Sequence, residues 1–187
     1  MKLLNLAGCV LSAGVVGITA ADALAQAAPS VPAALRPPAG QVLAAETLAT
    51  GVQIYECASK AEQPGAFEWV FRSPEAALAD ASGRSIGKHY AGPTWESNDG
   101  SVVSGEVASR DPGPTPTAIP WLLLKAKTHS GKGVFSDIVS IQRLQTAGGI
   151  APTEACSAAN LKQVVRVPYT ATYYFYRAAA VASYSCY

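Results

Sequence analysis

Along much of the chain apolar and polar residues alternate with a period of two. Phe67, Trp69 and Phe71 point one way and Glu68, Val70 and Arg72 the other, which is the pattern of a half-buried strand. In Val52 to Cys57, Val52 and Ile54 share one face, and Tyr55 and Cys57 the other. In Tyr169 to Tyr176, Tyr169, Tyr173 and Phe175 share a face opposite Tyr174 and Tyr176. Further short strands are predicted over Arg84 to Tyr90, at Trp95 and Glu96, over Ser101 to Ala108, Trp121 to Thr128, Val134 to Leu144 and Val164 to Val167. Gly105, between Val103 and Val107, leaves a gap that another side chain must fill.

Two segments read differently. Gln41 to Thr50 fits a short helix or an irregular lead-in, and Pro74 to Asp80 one helical turn with Pro74 near its start. Turns are marked by Gln63-Pro64-Gly65, Gly92-Pro93, Asn98-Asp99-Gly100 and Ser130 to Gly133. Arg110 to Pro120 holds four prolines and reads as a loop, rigid over Asp111 to Pro116; Gln145 to Leu161 is a second long loop. Pro168 hinges the last two strands and favours a sheet edge, because proline has no N–H for a ladder. About eight short strands with Pro/Gly loops make this an all-β single domain, an antiparallel β-sandwich or barrel.

The first residues change the picture of where the domain begins. Lys2 precedes a mostly apolar, uncharged run from Leu3 to Ala21, and Ala25-Gln26-Ala27 fits a small-x-small cleavage site. Residues 1–27 therefore read as a signal peptide, the alternative being an uncleaved anchor. Leu6-Ala7-Gly8-Cys9 also has the look of a lipoprotein box, although the apolar run before it is short. Residues 28–41 are Pro/Ala-rich and read as an extended linker, 42–178 as the domain and 179–187 as a C-terminal tail. The protein is expected to be exported, to the periplasm or beyond.

Removing 27 of 187 residues leaves 160, which suits one domain. The net charge is +1 and no basic run occurs, so nothing points to nucleic acid or an anionic membrane. No second apolar stretch is long enough to span a bilayer. The oligomeric state stays open.

Cys57, Cys156 and Cys186 survive signal cleavage into an oxidising compartment. Cys57–Cys156 is the preferred bridge, closing a loop of about 100 residues. Cys186 is then the odd one, free, paired with another chain or displacing one of the others.

Several motifs agree with one family in order along the chain: Gly51-Val52-Gln53-Ile54-Tyr55-Glu56-Cys57, Gly87 to Trp95 (GKHYAGPTW), Asp99-Gly100-Ser101, Ile119 to Leu123 (IPWLL), Ile141-Gln142-Arg143, and Gly148-Gly149 with Ala151-Pro152. Over roughly Val42 to Tyr176 the chain resembles the domain-of-unknown-function 3455 family of secreted bacterial and fungal proteins. The resemblance implies no established activity, and it implies a pairing of Cys57 with Cys156. Some fungal members carry a malate dehydrogenase label. This sequence has neither a G-x-G-x-x-G after a strand nor a βαβ alternation to support one.

The stretch Ile86 to Gly105 concentrates the candidate chemistry: His89, Tyr90, Trp95, Glu96 and Asp99. A histidine titrates near neutral pH and serves as base, acid or metal ligand. An exposed Trp95 would stack on a sugar or another flat face; otherwise it fills the core. Gly83-Arg84-Ser85-Ile86-Gly87 matches G-x-S-x-G by letter but lacks the following helix of a nucleophile elbow. His89 and His129 give no local metal-ligand spacing, and no cofactor is expected. The reading is a non-catalytic module binding a small molecule or a glycan. The alternatives are a secreted hydrolase using His89 with Glu96 or Asp99, and a structural or partner-binding domain.

Overall fold

A computed structural model describes residues 29–180. The expected signal peptide over residues 1–27, Cys9 and Cys186 lie outside the described residues. Eight strands follow one another: β1 (Gln41–Ser59), β2 (Phe67–Ala79), β3 (Ser85–Tyr90), β4 (Thr94–Ser97), β5 (Val102–Asp111), β6 (Trp121–Ser130), β7 (Ile138–Gly148) and β8 (Val164–Ala178). Each pairs antiparallel with the next, and β1 also pairs with β8, so the sheet closes into an up-and-down barrel. Between the expected sandwich and barrel, the chain forms the barrel.

Several segments differ from the sequence reading. Gln41 to Thr50 is the first half of β1, and Pro74 to Ala79 continues β2. Alanine carries little apolar signal, so the alternation there is faint. In β2, Ala76 and Leu78 are buried while Glu75 and Ala77 are exposed. Thr47 and Ala49 of β1 are buried in the same way, as the narrow interior of a small barrel requires. The two predicted C-terminal strands are one, running through Pro168. Pro168 pairs with Val52 of β1, but β7 ends opposite Tyr169, so its missing N–H faces a locally free edge.

The barrel interior holds the main apolar cluster, including Leu78, Trp95, Val103, Leu124, Ile141 and Phe175. A smaller cluster lies on the outer face of β6, β7 and β8, where Leu123, Leu144, Tyr174 and Tyr176 pack under Leu35. The stretch read as an extended linker is therefore partly structured. Ala33–Leu35 forms a 3-10 turn, Leu35 is fully buried, and Gln142 Nε2 donates to its carbonyl at 2.6 Å. Tyr176 in turn donates to Gln142 Oε1 at 2.7 Å.

The two barrel ends are unlike. At the end carrying the β4–β5 turn, Phe135 plugs the interior against Phe175, with ring centroids 4.5 Å apart. At the other end the wall is incomplete. Because β3 and β4 are short, β2 pairs with β3 only from Ala76 onward, and β5 pairs with β4 only up to Ser104. The first half of β2 and the second half of β5 therefore flank a notch, with the Gly92-Pro93 turn as its sill. Cys57 and Cys156 are joined as expected and tie β1 to the β7–β8 loop near this end.

Candidate functional site

Behind the notch lies a cavity of about 530 Å³. Its inner wall is built by residues that alternation turns inward: Gln53 and Tyr55 of β1, His89 of β3, Trp95 of β4, Arg143 of β7 and Tyr173 of β8. Leu122, Leu124 and Ile119 supply an aliphatic side. Phe71 and Val107, both more than two-fifths exposed, stand at the mouth on either side of the notch, with Arg72 and Arg110 nearby.

His89 and Trp95 are cross-strand partners, and their rings stack with centroids 4.6 Å apart. The Trp95 ring also sits where Gly105 leaves room, since a Cβ on Gly105 would lie 3.3 Å from it. Tyr173 approaches the His89 ring at 5.0 Å and meets Trp95 edge-on at 5.3 Å. His89 Nδ1 lies 2.8 Å from the Thr94 carbonyl. A carbonyl only accepts, so Nδ1 carries the proton and Nε2 is the acceptor of a neutral ring. Burial, with a smaller contribution from the Arg143 charge, lowers the His89 pKa to about 3.

Arg143 is the cation inside the barrel. Its Nε and Nη2 donate to the Pro120 carbonyl at 3.1 and 2.8 Å. No ion pair among the described residues involves it, and no Asp or Glu lines the cavity. The nearest pairing at the mouth is Arg72 with Glu56, at 3.1 Å. Three buried polar atoms of the cavity residues have no hydrogen-bond partner among the described residues: Gln53 Nε2, Trp95 Nε1 and the Tyr173 hydroxyl. Tyr173 lies beside Arg143 and Tyr169, and Tyr169 beside Gln53, but none of these pairs reaches hydrogen-bond geometry. Burial pushes both hydroxyls above the ordinary tyrosine pKa, so they stay protonated.

The five residues singled out in the sequence do not converge on one place. His89 and Trp95 face the cavity, each no more than 2% exposed, so Trp95 offers no surface platform for a sugar. Their strand neighbours point outward by alternation. There Glu96 meets Lys88 Nζ at 3.1 Å and accepts the Tyr90 hydroxyl at 2.9 Å. Asp99 stands at the plugged end, where its carboxylate accepts from the Ser101 and Val134 backbone N–H groups, both at 2.8 Å. The Ser101 hydroxyl then accepts from Phe135 N–H, so Asp99 helps hold the Phe135 plug. Neither carboxylate touches His89.

The other motifs take structural places. Ser85 opens β3 with no helix after it, and His129 Nε2 donates to the Ile138 carbonyl at 2.7 Å. No cluster of three or more His, Cys, Asp or Glu able to hold a metal occurs among the described residues. The aromatic strand β8 packs on both faces, Tyr173 and Phe175 inward and Tyr174 and Tyr176 outward. Gln53, Tyr55 and Arg143 were not found from the sequence. The available signal was Arg143 itself, which shares a strand face with Ile141.

The family described as "Protein of unknown function (DUF3455)" matches residues 38–177, which covers all eight strands except the last residue of β8. No curated protein and no solved structure matches the chain. With most of its length matched, and with the motif-bearing strands β1, β3, β4 and β7 inside the match, the chain belongs to this DUF3455 family of unknown function.

Proposed function

We propose that this is an exported, non-catalytic binding module that holds one small organic molecule inside the barrel. The observation that carries this is the notch-accessed cavity whose buried wall leaves three polar atoms without partners. Buried polar groups are nearly always paired, and an unpaired set around a cavity is what a ligand's own polar atoms complete. An eight-stranded barrel has room for one small ligand. The Cys57–Cys156 bridge fits the oxidising compartment that the N-terminal sequence suggests. No helix among the described residues is long and apolar enough to cross a membrane.

A thermal-shift screen of the oxidised protein tests the reading, using aromatic and aliphatic acids, their neutral analogues, sugars and divalent metals. A ligand at about 100 times its dissociation constant adds about 2.7 kcal/mol. Wild type is expected to gain melting temperature with one organic class. Val107→Trp narrows the notch at a position 41% exposed, so it should fold normally and lose the gain. No shift with any class, or an equal shift in Val107→Trp, contradicts the proposal.

A further inference from the structure

The chemistry lining the cavity points to one kind of occupant. Its lining combines one interior cation, a few unpaired polar groups and a largely apolar wall. Arg143 spends Nε–H and one Nη2 hydrogen on the Pro120 carbonyl, and no carboxylate among the described residues forms an ion pair with it. The lining residues also carry an unpaired indole N–H, an unpaired amide N–H and a protonated phenol, the phenol beside Arg143. An indole N–H and an amide N–H only donate, and the phenol is able to donate. A site furnished with a guanidinium and spare donors, and with no acid, selects an anion. Ile119, Leu122 and Leu124 add aliphatic wall, Leu122 as the register partner of Arg143 on β6, and the way in passes Phe71 and Val107. The body of the molecule must therefore be apolar.

We infer that the ligand is a small apolar carboxylic acid whose carboxylate sits on Arg143 and whose hydrocarbon or aromatic body fills the cavity toward the notch. This rests on the binding reading above and names its ligand class. Tyr173 and Gln53 flank the carboxylate, and the stacked His89–Trp95 pair forms a flat wall against the body. Arg110, exposed at the mouth, and Arg72, paired to Glu56, add positive charge along the path inward. The neutral His89 adds no second positive charge, so a single anionic group is matched by a single interior cation.

Isothermal titration with matched pairs separates the two claims: 2-naphthoate against 2-naphthamide, and decanoate against decanol. Wild type is expected to bind at least one acid about 10–100-fold more tightly than its neutral partner, the range of a charge-assisted hydrogen-bonded contact. Arg143→Gln should abolish that preference, and Arg143→Lys should keep part of it. The wild-type comparison needs no variant, so it decides even where Arg143→Gln fails to fold. Neutral and acidic members binding equally well would overturn the acid assignment and leave the binding module standing. An acid preference unchanged in folded Arg143→Gln would overturn Arg143 as its seat. No binding by any of the four would overturn both proposals.

Discussion

The His89 imidazole lies stacked on the Trp95 indole, with their planes 17° apart, and the two residues are register partners on β3 and β4. The pair ties the shortest strands of the barrel to its interior. It also fixes the histidine as a neutral donor to the Thr94 carbonyl rather than as a base.

That buried neutral state makes stability depend on pH. The folded His89 pKa is depressed to about 3 from an ordinary 6.5, so between these values the unfolded chain binds a proton that the folded one does not. Stability is full above about pH 6.5 and falls as the pH drops toward 3, by about 1.4 kcal/mol per unit. Urea unfolding at pH 6.5 and pH 5 should differ by about 2 kcal/mol in wild type. The difference should shrink in His89→Phe, which keeps a ring on Trp95 but does not titrate. An equal pH dependence in both would show that His89 is protonated in the fold. Asp99 is separable: hydrogen bonds from Ser101 and Val134 hold its pKa at about 2, so its contribution is lost only in stronger acid.

Two glycines should respond differently to one added methyl. At Gly51 a Cβ would run into the Glu75 carbonyl oxygen across the β1–β2 ladder, where backbone must move. At Gly105 it would meet the edge of the Trp95 ring at 3.3 Å, which needs only a small adjustment. Gly51→Ala is expected to cost more than about 3 kcal/mol, and Gly105→Ala about 1 kcal/mol. Chemical denaturation of the two variants checks the order. Equal losses would mean that the β1–β2 ladder yields more readily than its register implies.

The N-terminal strap should contribute as core. Leu35 is fully buried over Leu123, Leu144, Tyr174 and Tyr176, so Leu35→Ala should cost about 2–5 kcal/mol. A loss below about 0.5 kcal/mol, the range of an exposed surface site, would show that the strap is dispensable.

Cys57 and Cys156 are 99 residues apart, and their bridge is worth about 4–5 kcal/mol in the chain-entropy model. The urea midpoint of the wild type should fall on reduction. It should not change in the Cys57→Ser, Cys156→Ser double variant treated the same way.

These features were unequally legible in the sequence. Phe67 to Phe71 and Tyr169 to Tyr176 announced themselves because large aromatics alternate there with clear period. The first half of β1 and the end of β2 did not, because Ala44, Ala45, Ala49, Ala76 and Ala77 give nearly the same signal on either face and favour helices by propensity. The strap was hidden in a Pro/Ala composition in which one Leu35 does the packing. His89 and Trp95 were visible as a centre. Their companions were not, because closure of the barrel brings Gln53, Arg143 and Tyr173 to them from distant strands, and a period-two pattern gives faces without giving neighbours. The same alternation separates Glu96 and Tyr90 from His89, although they sit beside it in the sequence.

The most direct measurement is a two-dimensional proton–nitrogen NMR titration of the oxidised protein with 2-naphthoate, read at the tryptophan side chains. Trp95 Nε1–H is buried in the cavity wall without a partner, whereas Trp69 Nε1–H is already bonded to the Glu154 carbonyl at 2.9 Å. The expected result is a saturable shift of the Trp95 indole resonance with the Trp69 resonance unmoved. A Trp95 resonance that stays fixed while surface resonances move would contradict a ligand site inside the barrel.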